Sequence, residues 1–366
     1  MENLVKTSIR RATQSAAALT LGALALSACS APPAENSSKE AGKNYTGCIV
    51  SDAGGFDDQS FNQSSYSGLQ RAEKDLGITM KKAESKAKAD FTPNLQQMMT
   101  AKCNLTITVG YLLSDATKAA AAKNPSAHFA IVDDNQIKAD NVKPIIYDTA
   151  QAAFLAGYTA AAQSKTGKVG TYGGINIPTV TIFMDGFADG VKYYNEQKGK
   201  NVQVLGWDKA KQTGTFTNSF DIVQEGTKAT NNLIDAGADV IMPVAGPLAQ
   251  GTGDAALAAN KGGKDVSVIW VDSDGVETAP KYKSVILTSV VKKMDKAVED
   301  VIKADLDGKF SNEPYVGTLE NAGTDIAPFH EFDSKVSDET KKEIEQVRKD
   351  IIAGKIKVES KASPKS

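Results

Sequence analysis

The chain of 366 residues has two His, three Cys and two Trp, and its aromatic fraction is 7%. So few His and Cys leave little material for a His-based metal centre or a His-dependent catalytic triad. Chemistry done by carboxylates alone is left open. Charge of one sign is also missing: 42 Lys+Arg stand against 44 Asp+Glu, a formal net charge of -2. A nucleic-acid binder usually carries a basic surplus, so that class is disfavoured. No phosphate loop of the G-x-x-x-x-G-K-[ST] kind, no C-x-x-C, no H-E-x-x-H and no G-x-S-x-G elbow is found. After residue 30 no apolar run is long enough to cross a bilayer of about 30 Å. What is present is globular: 41% hydrophobic and 23% charged residues. The length suits two lobes of roughly 130–150 residues each rather than one core.

The N-terminus reads as a targeting segment rather than fold. Lys6, Arg10 and Arg11 form a positive region, and an Ala- and Leu-rich stretch follows to Leu26. The segment ends in Leu26-Ser27-Ala28-Cys29, small residues just before a Cys. Residues 1–28 have the layout of a cleaved secretory signal. The last four residues resemble the lipobox of bacterial lipoproteins, which implies diacylglycerol on Cys29. Cleavage there removes three basic residues and one acidic one, leaving a mature chain near -4. Residues 29–44 hold the lipidated Cys and a polar tether with no apolar period. The last residues, 359–366, are expected to be a frayed polar tail.

Between these ends, short Val/Ile-rich strands alternate with helical stretches. Examples are CIVSD, LTITVG, HFAIVDD, KVGTYGG, DVIMPVAG and VSVIWVD. This rhythm predicts α/β lobes, each a parallel sheet with helices on both faces. The expected division is 45–148 with about 285–310 for lobe 1, and about 149–284 with 311–335 for lobe 2. A C-terminal helix is expected at 336–358. Ser60-Phe61-Asn62-Gln63 fits a capping box opening a helix, with Ser60 as N-cap. Gly77 is placed to end that helix. Cys48 and Cys103 each lie at or just before a strand. If those strands are parallel neighbours, a disulfide is within reach; otherwise both are buried thiols. Ligands of open parallel sheets bind beyond the carboxyl ends of the strands. That rule singles out Asp52, Gly110, Asp133, Gly246 and Asp272.

Several segments then resemble the basic membrane protein family, nucleoside-binding lipoproteins of ABC importers. They are Phe56-Asp57-Asp58-Gln59-Ser60-Phe61-Asn62-Gln63, Phe154-Leu155-Ala156-Gly157-Tyr158, Gly237-Ala238-Asp239-Val240-Ile241, Ala245-Gly246, Val271-Asp272-Ser273-Asp274 and Thr288-Ser289-Val290-Val291-Lys292. Their order suits the family along roughly residues 45–335. The resemblance implies a two-lobed periplasmic-binding-protein-like fold with a ligand cleft between the lobes. It implies that Phe61 and a second ring, Phe220 or else Phe216, sandwich a nucleobase. Asn62 and Asp133 correspond to readers of the base edge. Asp272 and Lys292 correspond to residues holding the ribose, with backbone from Gly246 nearby. Asp52 is expected to join the polar cluster. The implied protein is no enzyme and needs no cofactor. It is a monomer held on the extracytoplasmic face of the cell membrane by its lipid, handing a purine nucleoside to an ABC permease and its ATPase. A sugar receptor of the same fold and a secreted nucleoside-processing enzyme are the alternatives.

Overall fold

The computed structural model describes residues 42–364. The signal segment, Cys29 and most of the tether therefore lie outside the described residues. Two six-stranded sheets organise the rest. The first sheet contains β1 (Thr46–Val50), β2 (Thr79–Ala83), β3 (Leu105–Val109), β4 (His128–Val132), β5 (Val142–Tyr147) and β13 (Tyr315–Gly317). Its order is β13-β5-β4-β3-β1-β2, all parallel. The second holds β6 (Lys168–Gly173), β7 (Gln203–Leu205), β10 (Val240–Val244), β11 (Ser267–Asp272), β12 (Ile286–Lys292) and β14 (Thr324–Ile326). Its order is β14-β12-β11-β10-β6-β7, with only β14 antiparallel. A short hairpin of β8 (Trp207–Asp208) and β9 (Thr213–Gly214) stands apart from both sheets.

Helices cover both faces of each sheet. In the first lobe these are α1 (Phe61–Leu76), α2 (Phe91–Thr100), α3 (Ser114–Lys123) and α9 (Met294–Leu306). In the second they are α4 (Thr149–Gln163), α5 (Pro178–Lys198), α6 (Val223–Asp235), α7 (Ala249–Lys261), the single turn α8 (Gly275–Thr278) and α10 (Asp338–Ile352). Two apolar clusters flank each sheet, and none of the four spans both lobes. Helix α4 is buried on nearly every side. It lies against α5 so closely that a Cβ on Gly157 would sit 2.1 Å from the Phe187 carbonyl oxygen, and one on Gly190 would sit 2.0 Å from that of Phe154. The Phe154–Tyr158 stretch is thus the seam of a helix pair, where Gly permits the approach.

The chain crosses between lobes three times: after Tyr147, after Lys292 and between Gly317 and Thr324. The last two crossings differ from the sequence-based division. Strand β12 pairs with β11 in the second sheet, so residues 286–292 belong to lobe 2 rather than lobe 1. Strand β13 pairs with β5, so Tyr315–Gly317 belongs to lobe 1 rather than lobe 2. An apolar run announces a strand but carries no label for the sheet it joins. The tail also differs. Ile356, Val358 and Ala362 pack on the second lobe's core. Ser360 donates to the fully buried carboxylate of Asp185 at 2.6 Å, beside Trp207 Nε1 at 3.0 Å and Gln212 Nε2 at 2.9 Å. Polar residues 359–364 are docked by a carboxylate that no local pattern reveals.

Strands β1 and β3 are parallel neighbours, the arrangement on which the pairing of Cys48 and Cys103 depended. The two are joined, with Cα atoms 5.9 Å apart and a separation of 55 positions along the chain. Closing a loop of that length restricts the unfolded chain. Replacing both cysteines by Ala is therefore expected to lower stability by about 2–4 kcal/mol. Denaturant unfolding of the two proteins checks this, and equal midpoints would refute it.

Candidate functional site

The parallel strands of both sheets end toward the space between the lobes, which gathers their C-terminal residues. Asp52 follows β1, Gly110 follows β3, Asp133 follows β4, Gly246 follows β10 and Asp272 closes β11. Asp133 and Asp272 both have positive φ, 63° and 72°. Non-glycine residues adopt that conformation at a cost, and such strain clusters at functional sites. Each turns its carboxylate onto one group. Lys292 Nζ lies 2.5 Å from Asp133 Oδ2 and 3.1 Å from Asp272 Oδ1. Lys292 ends β12, the last residue before the second crossing, so it ties a carboxylate of each lobe.

All three groups are buried, with side-chain exposures of 3% for Lys292 and 9% for each Asp. Burial alone would lower the Lys292 pKa. The two carboxylates outweigh it and hold the ammonium above its ordinary value. Asp133 is raised by burial despite the lysine beside it. Rings close the remaining sides: the ammonium stands 4.8 Å from the Phe61 centroid, 5.1 Å from Phe183 and 5.9 Å from Tyr147. Asp272 Oδ1 touches Lys292 without hydrogen-bond geometry, so this oxygen retains an unused acceptor.

A second carboxylate pair stands at the start of α1. Ser60 does not cap this helix. Asp58 does, accepting from the backbone N–H groups of Ser60 at 3.0 Å, Asn62 at 2.8 Å and Gln63 at 3.0 Å. The carboxylate displaces the hydroxyl because it offers more acceptor sites to several orphan donors at once. Gly77 ends the helix as expected, its N–H donating to the Glu73 carbonyl at 3.0 Å. Asn62 Nδ2 donates to Asp52 Oδ1 at 2.9 Å and to Asp58 Oδ2 at 3.1 Å. Burial pushes Asp52 up to about 7, against the hydrogen bond from Asn62 and reinforced by Asp58. Burial likewise pushes Asp58 up to about 6, against its backbone donors. A Cβ on Gly110, whose φ is 112°, would lie 2.5 Å from Asp52 Oδ2. Glycine there gives the carboxylate its room.

Freed from capping, Ser60 reaches the other lobe, donating to the Val271 carbonyl at 3.0 Å. The Gln59 carbonyl accepts from three second-lobe groups: Trp270 Nε1 at 3.1 Å, Ser273 Oγ at 3.1 Å and Thr278 Oγ1 at 2.9 Å.

One cleft between the lobes is lined by all eight residues singled out from sequence: Asp52, Phe61, Asn62, Asp133, Phe220, Gly246, Asp272 and Lys292. Its walls stand close together, leaving about 60 Å³ of free space between them. Phe220 lines it, with its ring against the backbone of Gly174. Phe216 does not; it packs edge-on against Trp207 with centroids 6.0 Å apart. Sequence reasoning missed Phe183, Ile177, Val180 and Tyr111, which supply apolar wall. Phe183 sits in TVTIFMDGF, where every apolar position reads as helix core. Among the described residues no group of three His, Cys, Asp or Glu is placed to hold a metal ion.

Two parallel α/β lobes with a carboxylate-rich cleft at the strand ends define a solute-binding protein. The fold is that of a solute-binding protein of an ABC transporter system from Aeropyrum pernix K1, with a TM-score of 0.77 at 24% identity over 86% of this chain and 92% of that one. Residues 46–362 match the model of the PnrA-like ABC transporter substrate-binding proteins, and the chain belongs to that family. It is 31% identical to the ABC transporter nucleoside-binding protein BmpA of Lactococcus lactis, over 94% of this chain and 97% of that protein. It is 33% identical to the CD4+ T-cell-stimulating antigen of Listeria monocytogenes, over 87% and 89% respectively.

Two outcomes test this electrostatic arrangement. Lys292→Met leaves two buried carboxylates unpaired and is expected to cost about 3–5 kcal/mol; a smaller loss on denaturant unfolding would contradict the ion triad. Asp52 has a folded pKa of about 7 against an ordinary 3.8. The folded state therefore keeps a proton that the unfolded state releases. Its contribution is full below about pH 4 and is lost as pH rises through 7. The stability advantage of the native chain over Asp52→Asn should shrink between pH 5 and pH 8. A constant difference would rule the assignment out.

Proposed function

We propose that the protein captures a nucleoside, with a purine base as the expected form, and delivers it to the permease and ATPase of an ABC importer. The observation carrying this reading is that two aromatic rings, a lysine and several buried carboxylates from both lobes line one cleft. A nucleobase has flat apolar faces and a polar edge, which suit Phe61 and Phe220 with Asp133 and Asn62 at the edge. Vicinal ribose hydroxyls are donors, and the unused acceptor of Asp272 beside Lys292 is a place for them. Gly246, with φ of 53°, presents backbone at the same wall. Asp52, on the raised pKa described above, can donate as well as accept near neutral pH.

The step is capture and release without chemistry, by a monomer, with the ligand closing the lobes together. The lipobox supports an anchor at Cys29 on the extracytoplasmic face of the membrane, and several relatives carry the names lipoprotein or basic membrane protein. The lactococcal relative is named a nucleoside-binding protein, which supports the nucleoside class. Calorimetric titration decides it, with the chain starting after Cys29 unfolded, refolded and offered adenosine, guanosine, inosine, uridine, cytidine and ribose. One-to-one binding of a nucleoside with ribose silent is the expected result. Binding of ribose alone would move the assignment to a sugar receptor, and turnover of the nucleoside would make the protein an enzyme. Phe61→Ala should weaken binding about tenfold or more, since stacking contributes about 1–3 kcal/mol per base. Its thermal stability should stay near that of the native chain; a large stability loss with normal affinity would make Phe61 a packing residue.

A further inference from the structure

The walls of the cleft continue past the Asp133–Lys292 pair. Beyond it is a second chamber of about 370 Å³, sharing Tyr111, Asp133, Thr179 and Lys292 with the first. Tyr147 and Thr149, on either side of the first crossing, form part of its wall. Both residues are buried, 4% and 1% exposed, and neither side-chain hydroxyl has a hydrogen-bond partner. Buried hydroxyls are nearly always paired, so two orphans on one wall call for an explanation. The outer wall is the docked tail, Ala362 to Pro364. Ser363 Oγ fastens it across the crossing by donating to Asp148 Oδ1 at 3.0 Å.

We propose that this chamber is a second ligand subsite, taking an uncharged hydrogen-bonding group carried on the sugar of the bound nucleoside. The proposal rests on the nucleoside reading above, in which Lys292, on the shared wall, holds the sugar. The charge of the lining sets the class of group. Among the described residues Lys292 is the only cation on the chamber's wall, and it already stands between two carboxylates. Asp134 adds another carboxylate, held by the Ser114 hydroxyl at 2.8 Å and the Gln136 side-chain amide at 3.2 Å. A phosphate there would meet Asp133 and Asp134 with no free cation among the described residues to offset it. A hydroxyl, ether or amide would find the orphan hydroxyls together with Thr179 and Asn135. The chamber thus admits sugar-extended nucleosides and rejects nucleotides.

The test titrates the refolded chain with its best-binding nucleoside, the 5′-O- and 3′-O-(2-hydroxyethyl) ethers of that nucleoside, and its 5′-monophosphate. At least one ether should bind within threefold of the parent, and the monophosphate at least 100-fold more weakly. The isosteric variant Thr149→Val should weaken the accepted ether at least fivefold and the parent less than twofold. Loss of more than 30-fold for both ethers, tight binding of the monophosphate, or equal losses for ether and parent in the variant would each overturn the subsite. The native-chain arm needs no variant to fold. Silence from every parent nucleoside would overturn the nucleoside reading itself, in an arm separate from the ethers.

Discussion

The interaction on which the site depends is the burial of Lys292 between Asp133 and Asp272. Three charges removed from water are tolerated only when each is answered by a close partner. Here the partners come from opposite lobes, and the lysine ends the strand that leads into a crossing. The same contact therefore positions the sheet ends, aligns the lobes and leaves a net negative charge for a donor-rich ligand to satisfy. Aromatic faces around the ammonium complete its coordination without adding further charge.

What joins the lobes is polar, and what holds each lobe together is apolar. The four apolar clusters divide two and two, with no cluster bridging the cleft. Contacts across the cleft include the Asp133–Lys292 pair, the Phe61 face on the Lys292 ammonium, the Ser60 hydroxyl and the three donors on the Gln59 carbonyl. Polar groups that separate can be taken up by water, whereas separating apolar faces exposes them to it. Rotation about the crossings is thus cheap compared with opening either lobe, which suits a binding cleft that closes on its ligand.

Much of this arrangement was legible in the sequence. Strands such as LTITVG and VSVIWVD declare themselves by composition and length, and the parallel-sheet rule sends attention to their carboxyl ends. All eight residues chosen there, or by family resemblance, line one cleft. The sheet membership of Ile286–Lys292 was not legible, because parallel pairing joins segments distant along the chain. Phe183 was hidden by being one apolar residue among many on a buried helix. Ser60 and Gln63 have the spacing of a capping box, but Asp58 is better placed and better charged. The tail has the composition of a frayed end and is held by Asp185, 175 residues from Ser360. In each case the deciding contact was non-local or was made by a stronger competitor nearby.

The two lobes solve the same local problem in the same way. Asp133 ends a strand run in lobe 1 and Asp272 one in lobe 2, and both adopt a left-handed backbone. Glycine would take that conformation without strain, and at Gly110 and Gly246 the chain does use it. At the other two strand ends the carboxylate is what Lys292 requires, so the backbone strain is offset by the ion contacts it makes possible. Strain at both ends of one ion triad ties each lobe's strand-end geometry to the other's. Separating the lobes would leave Asp133 strained and without its lysine, so the open form gains little by relaxing the cleft. A ligand whose hydroxyls donate to Asp272 Oδ1 would deepen the closed state further, and this is where binding and closure become one equilibrium.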